Sequence, residues 1–317
     1  RDALAVQARR GVKVRLLLDR LGSKKVDEAF LRPLREAGAE IEFFHPYFFK
    51  RLWRPQINQR SHRKIVVIDG RIGFTGGINI TDTENEALRD DAYVDLHFRM
   101  RGEIVRWLQL AFVADWLYSG GAFVADSVYF PTPSENAGPI AAQVLAAGPD
   151  TPLEPIHRAQ VFAINAARKR ILLVTPYFVP SESAMMALTS AALRGVDTAL
   201  VVPRNSDNPL VTLAARSYFD DLARAGVRVY EYRRMLHTKA LLVDDETAIV
   251  GSSNFDQRSF RLNFELSVLF ENRAVADGLA RVLYAYLGDS VRFNPKQKPP
   301  LHSRLAQAGA RLFSPLL

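Results

Sequence analysis

The stretch SHRKIVVIDGRIGFTGGIN at residues 61–79 has a counterpart, LHTKALLVDDETAIVGSSN, at residues 236–254. Two further pairs of segments resemble each other in the same order, 9–23 with 193–207 and 30–44 with 218–232. Because the order is kept while the intervening loops change length, the chain reads as two fused copies of one unit. Its 317 residues suffice for two domains of ordinary size.

Each copy alternates strand, helix and strand and then adds a hairpin. β-branched runs follow Arg-Gly pairs, apolar residues at helical spacing come next, and Asp69-Gly70 is a typical two-residue hairpin turn. This order predicts an α/β fold of two duplicated sandwich units, packed with pseudo-two-fold symmetry around a site at their interface. The Pro/Ser/Gly-rich stretch at 131–139 is the expected linker, which gives halves of 1–135 and 136–317. Since residues 156–182 have no earlier counterpart, we expect the first half to be truncated at its N-terminus.

The composition narrows the classes of protein. Hydrophobic residues make up 48% and charged residues 24% of the chain, which excludes a disordered protein. The absence of cysteine excludes disulfide scaffolds and thiolate metal sites. A net charge of +8 and a pI near 9.7 favour anionic partners such as nucleic acid, phosphorylated metabolites or an acidic membrane surface.

Both copies carry the same polar residues at the same spacing. A His is followed by a Lys two residues on, an Asp five further, and a Gly-rich element that ends in Asn: His62, Lys64, Asp69 and Asn79, then His237, Lys239, Asp244, Ser252 and Asn254. Residues i and i+2 of a strand share a face, so His and Lys of each copy point the same way. The symmetry then gathers two His, two Lys and two Asn around one pocket.

This set suits the chemistry of a phosphodiester. One imidazole attacks phosphorus and the other protonates the leaving oxygen, while the ammonium and amide groups stabilise the non-bridging oxygens without a metal. Asn79, Asn254 and Ser252 are the candidate phosphate ligands. A carboxylate behind each ring would fix its tautomer, and the repeat offers Asp95 and Glu265 for this role. Asp69 and Asp244 are candidate catalytic residues by motif, although turns also commonly use Asp for structural reasons.

At these residues the chain resembles the phospholipase D superfamily with its two HKD motifs. GSSNFDQRSFRLNFE at 251–265 further resembles bacterial cardiolipin synthases. The resemblance implies phosphatidyl transfer between two phosphatidylglycerol molecules, giving cardiolipin and glycerol through a phospho-histidine. It implies His62 as nucleophile and His237 as acid/base, with no metal or other cofactor. The implied partners are phosphatidylglycerol, other anionic phospholipids and the membrane surface, with no nucleic acid and no required oligomer.

The resemblance also implies a location at the bacterial inner membrane, peripheral for this chain, with anchoring helices upstream. The segment 46–55 interleaves aromatic and basic residues, which suits either a loop dipping into the membrane interface or packing against the core. The segment 301–317 is an amphipathic helix for which packing on the body is the favoured interpretation. The competing functions are a phospholipase D-type hydrolase, an HKD nuclease and a catalytically idle binding module.

Overall fold

A computed structural model describes residues 1–44, 59–124, 126–132 and 138–314. The aromatic and basic segment 46–55 therefore lies outside the described residues, as does most of the expected linker. No helix within the described ranges combines the length and apolarity that a membrane crossing needs.

The secondary structure alternates along the whole chain. The helices are α1 Asp2–Arg9, α2 Glu28–Glu36, α3 Ile104–Tyr118, α4 Pro155–Ala166, α5 Glu182–Leu193, α6 Pro209–Arg216, α7 Phe219–Arg224, α8 Gln257–Arg261, α9 Arg273–Gly288 and α10 Leu301–Leu312. The strands are β1 Arg15–Asp19, β2 Glu40–Phe44, β3 Arg60–Ser61, β4 Ile65–Ile68, β5 Ile72–Gly76, β6 His97–Arg101, β7 Ala142–Ala147, β8 Arg170–Val174, β9 Phe178–Val179, β10 Asp197–Pro203, β11 Arg228–Tyr232, β12 Ala240–Val243, β13 Thr247–Gly251, β14 Phe255–Asp256, β15 Asn263–Glu271 and β16 Ser290–Arg292.

The strand order confirms the duplicated α/β architecture. In the second half the order is β16-β11-β10-β8-β12-β13-β15, with β7 along the outer side of β15 and the short β3 pairing with the start of β15. In the first half β1 and β2 form a parallel pair, and β4, β5 and β6 form an antiparallel sheet. The hairpins β4–β5 and β12–β13 are the repeated segments of the sequence, and they turn at Asp69 and Asp244.

The large sheet is buried on both faces. One face packs against α4, α5 and α7 through residues such as Ile164, Leu188 and Leu222. The other face packs against α9 and against the first half, where Met100 and Leu108 join the same apolar cluster. A sheet covered on both sides explains why its central strands are almost uniformly apolar, and it brings the two halves into direct contact.

Candidate active site

The two halves join through backbone hydrogen bonds at the two candidate histidines. The N–H of His62 donates to the carbonyl of Phe264 over 2.8 Å, and the N–H of His237 donates to the carbonyl of Val94 over 2.7 Å. Phe264 precedes Glu265 in the chain, and Val94 precedes Asp95. These hydrogen bonds therefore place each histidine next to the carboxylate of the opposite half.

His62 is backed by a carboxylate from the second half. Its Nδ1 lies 3.0 Å from Oε2 of Glu265 and 3.0 Å from the carbonyl oxygen of Ser252. The side chain of Glu265 is fully buried, whereas that of His62 keeps 27% of its surface exposed. Because Nδ1 is engaged, Nε2 is the ring nitrogen left for chemistry on the open side.

His237 has the mirror arrangement with the first half. Its Nδ1 lies 2.6 Å from Oδ2 of Asp95, and both side chains are almost fully buried. The sequence proposed Asp95 and Glu265 as orienting groups, and the structure places both next to imidazoles. It also adds what the repeat could not give, namely that the partners are exchanged between halves.

The two lysines lie beneath the rings. Nζ of Lys64 donates to the carbonyl of His62 over 2.8 Å. Nζ of Lys239 donates to the carbonyl of His237, and it lies 2.8 Å from Nδ1 of that ring and 3.5 Å from Asp95 Oδ2. Burial lowers the pKa of Lys64 to about 7 and also lowers the pKa of Lys239.

The electrostatics couple the two halves into one site. Burial and the charge of Lys239 lower the pKa of His237 to about 3. Burial lowers the pKa of His62 as well, against the favourable charge of Glu265, and both lysines add to this lowering. These directions favour the neutral form of both imidazoles in the substrate-free site. A bound phosphodiester anion would raise both pKa values because it opposes the lysine charges.

Each candidate asparagine is tied to a further buried carboxylate. Nδ2 of Asn79 donates to Glu84 Oε1 over 2.6 Å, and the Asn79 N–H donates to Glu84 Oε2 over 2.7 Å. Asn254 donates to Asp256, and its Oδ1 is buried without a partner among the described residues. Burial raises the pKa of Glu84, and it raises the pKa of Asp256 to about 6. Sequence comparison missed Glu84 because its loop has no equivalent in the second half.

Three predicted residues lie away from the reacting side of the pocket. The carboxylate of Asp244 accepts hydrogen bonds from the backbone N–H groups of residues 168–170. Asp69 and Asp244 have positive φ values of 54° and 52° at the turns, about five strand residues beyond the lysines. Both therefore shape the hairpins, and the catalytic interpretation is not supported by their position. Ser252 is fully buried and its hydroxyl donates to Glu265, so it serves that carboxylate rather than a phosphate.

Arg63 is a residue that the motif did not single out. Its guanidinium donates to Asp115 of α3 over 2.6 Å, to the carbonyl of Glu265 over 3.1 Å and to the carbonyl of Ala147 over 3.0 Å. This buried pair fixes the backbone that carries Glu265. An Arg between the His and the Lys of the H-x-K segment would have been the only signal, since Asp115 is distant in sequence.

One group of side chains has the composition of a metal site. Ligand atoms of Glu84, Asp95 and His237 all lie within 4.8 Å of one another. The ammonium of Lys239 already lies against the same Nδ1 and the same Asp95 oxygen. A cation from the chain itself thus occupies this position, and metal coordination would require Lys239 to move.

Similarity to known proteins assigns the chain to a family. The sequence matches the family described as "Cardiolipin synthase, PLD-like domain" over residues 1–116 and 161–285. The chain belongs to this family. The match covers both halves and includes both His/Lys pairs, which agrees with the superfamily suggested by the two motifs.

Individual relatives extend the likeness over the whole chain. It is 41% identical over 325 residues to a cardiolipin synthase of Alkalihalophilus pseudofirmus, which covers 100% of this chain and 64% of that protein. It is 41% identical over 327 residues to a cardiolipin synthase of Geobacillus kaustophilus, at 99% of this chain and 63% of that protein. This chain thus spans less than two thirds of the length of these relatives. The crystal structure of a phosphatidylserine synthase from Haemophilus influenzae shares the fold, with a TM-score of 0.65, 14% identity and coverage of 99% and 90%.

Proposed function

We propose that this chain catalyses phosphatidyl transfer between two phosphatidylglycerol molecules, releasing glycerol and forming cardiolipin. The observation that carries the proposal is the exchange of His–carboxylate partners, because it joins both imidazoles, both lysines and both halves into one pocket. The family supports the same chemistry. Since one chain supplies both halves of the site, an oligomer is not required.

The first step begins at the more open ring. Nε2 of His62 attacks phosphorus and forms a P–N bond, while the bond from phosphorus to the glycerol oxygen breaks. His237 gives its Nε2 proton to that oxygen, so neutral glycerol leaves. Glu265 and Asp95 hold the two rings in the required tautomers. Lys64 and Lys239 offset the negative charge that develops on the phosphoryl oxygens.

The second step reverses these bond changes with a different alcohol. The hydroxyl of a second phosphatidylglycerol gives its proton to His237, its oxygen attacks phosphorus, and the P–N bond breaks to regenerate His62. His237 enters this step neutral because it gave its proton to glycerol in the first step, so its Nε2 can accept the proton of the second alcohol. The first step needs its protonated form, which the anionic substrate favours by opposing the lysine charges.

The test is incubation with phosphatidylglycerol vesicles, followed by separation of cardiolipin, phosphatidic acid and glycerol. We expect cardiolipin and glycerol in equal amounts. Phosphatidic acid without cardiolipin would establish the hydrolase instead, and cleavage of a DNA phosphodiester with no lipid product would establish the nuclease. Lys25→Ala, a substitution at an exposed residue outside both the site and α10, is the control for His62→Ala.

We further propose that α10 contributes to binding an anionic membrane surface. Its inner side packs on the body, with Ala310 buried and Arg311 Nη1 lying 3.2 Å from Asp221 Oδ2. Leu301, Leu305 and Leu312 form an exposed apolar stripe on the opposite side. Leu301→Glu with Leu305→Glu should weaken sedimentation with phosphatidylglycerol vesicles, whereas Leu193→Glu, an equally exposed leucine of α5, should not. Equal loss in both variants would remove the assignment.

A further inference from the structure

The edge of the pocket next to His237 carries a group of side chains that the reaction scheme leaves without a role. The ring of Tyr93 lies 6.0 Å from the imidazole of His237, and the ring of Tyr177 lies 6.4 Å from it in an edge-on orientation. The Tyr177 hydroxyl donates to Asp207 Oδ1 over 2.6 Å. We call Tyr93, Tyr177 and Asp207 the rim cluster.

Asp207 has unused capacity to accept hydrogen bonds. It lies exposed in the loop after β10, and Tyr177 is its only hydrogen-bond donor within the part of the chain that the structure describes. Within the same residues no Lys, Arg or His comes within ion-pair distance of it, since the ion pairs found there involve other carboxylates. A carboxylate held in place by a phenol and not neutralised by a cation can accept hydrogen bonds from hydroxyl groups.

The rim cluster belongs to one side of the pocket only. In the alignment of the two halves, Asp207 corresponds to Ser23, and Tyr177 lies in the unit that has no counterpart in the first half. On the His62 side the nearby charged side chains form an ion pair instead. Arg60 lies there, 3.1 Å from Asp19, and its charge adds to burial in lowering the pKa of Arg258. The two imidazoles are thus related by the repeat, but the side chains at the edge of the pocket next to each of them differ.

We infer that the rim cluster is the subsite for the alcohol headgroup and that it recognises a vicinal diol, such as the glycerol group of phosphatidylglycerol. This inference rests on the proposed function and specifies its acceptor. Leaving glycerol and incoming alcohol both exchange a proton with His237, so both must lie on this side. One hydroxyl then faces the imidazole, the neighbouring hydroxyl donates to Asp207, and the rings of Tyr93 and Tyr177 flank the carbon chain.

A competition between small alcohols tests the subsite. Phosphatidylglycerol vesicles are incubated with equal concentrations of 1,2-propanediol, 1-propanol and ethanolamine, and the phosphatidyl-alcohol products and cardiolipin are measured in the same sample. Product ratios do not depend on how much active enzyme survives a substitution. The variants are Asp207→Asn and Tyr177→Phe, and the control is Asp220→Asn, an exposed carboxylate on α7.

The wild type should favour 1,2-propanediol over 1-propanol by about tenfold or more, as expected for a charged hydrogen bond to one additional hydroxyl. Asp207→Asn should remove most of this preference and Tyr177→Phe part of it, with no change in Asp220→Asn. Cardiolipin formation with an unchanged ratio in both rim variants overturns the subsite and leaves the proposed function intact. A preference for ethanolamine overturns the diol assignment. If the wild type forms no phosphatidyl-alcohol and no cardiolipin, the transferase itself is wrong, and the subsite falls with it.

Discussion

Replacing Lys64 by methionine is expected to stabilise the substrate-free protein while removing most of its activity. Its pKa falls from 10.5 to about 7, a difference of 3.5 units, which corresponds to ~5 kcal/mol of unfavourable environment for the ammonium. Lys64 is only partly buried, and solvent screens its charge, so we count roughly half of this unfavourable free energy. Loss of the hydrogen bond to the His62 carbonyl destabilises the variant by about 1 kcal/mol. The net expectation is a gain of ~1–2 kcal/mol at pH 7.

The pH dependence of the free energy of unfolding gives a second test of whether Lys64→Met stabilises the protein. Between pH 7 and 10.5 the unfolded chain holds a proton on Lys64 that the native protein has released, so wild-type stability rises with pH in this window. The advantage of Lys64→Met is therefore largest at pH 7 and decreases as the pH rises toward 10.5. Urea denaturation at pH 7, 8.5 and 10 measures it, with Lys25→Met as the exposed control. Destabilisation at pH 7, or an advantage that grows with pH, would refute the reasoning, and activity should fall by about 10²–10³-fold.

Three further predictions concern the rings and their supports. His62→Ala and His237→Ala should each lower kcat by about 10⁴–10⁶-fold in the vesicle assay, and near-normal turnover in either would exclude paired imidazoles. Asp95→Asn should alter the pH–rate profile of the second step, because it removes the carboxylate from the His237 ring, and an unchanged profile would exclude an orienting role. Gly77→Ala should lower activity because its Cβ would lie 2.1 Å from Asp95 Oδ1, and crystallographic or kinetic evidence that Asp95 is undisturbed would contradict this.

Much of the fold could be predicted because the chain contains two similar copies of one unit, which can be aligned with each other. The repeat located both hairpins, both His/Lys pairs and the two carboxylates. It could not assign Glu265 to His62 and Asp95 to His237, because these pairings depend on backbone contacts between segments 203 and 142 residues apart. Spacing alone also left two roles open for Asp244, since a turn Asp that accepts three backbone N–H groups looks the same in sequence as a catalytic one.

The residues missed are ones that the two copies do not share. Glu84 lies in a loop that only the first half has, and Asp207 aligns with a serine. Glu84 Oε1 lies 3.5 Å from Nδ1 of His237, and Asp207 is linked to that ring through Tyr177. The surroundings of the two imidazoles therefore differ at the positions where the two copies differ in sequence.

The most direct test is to locate the covalent intermediate. The enzyme is mixed with phosphatidylglycerol vesicles, quenched in alkali on the millisecond scale, deacylated and digested, and the peptides are analysed by mass spectrometry. We predict a phosphoryl-glycerol adduct on His62 that is absent from His62→Ala. An adduct on His237, or turnover at the normal rate with no adduct on either histidine, would contradict the account.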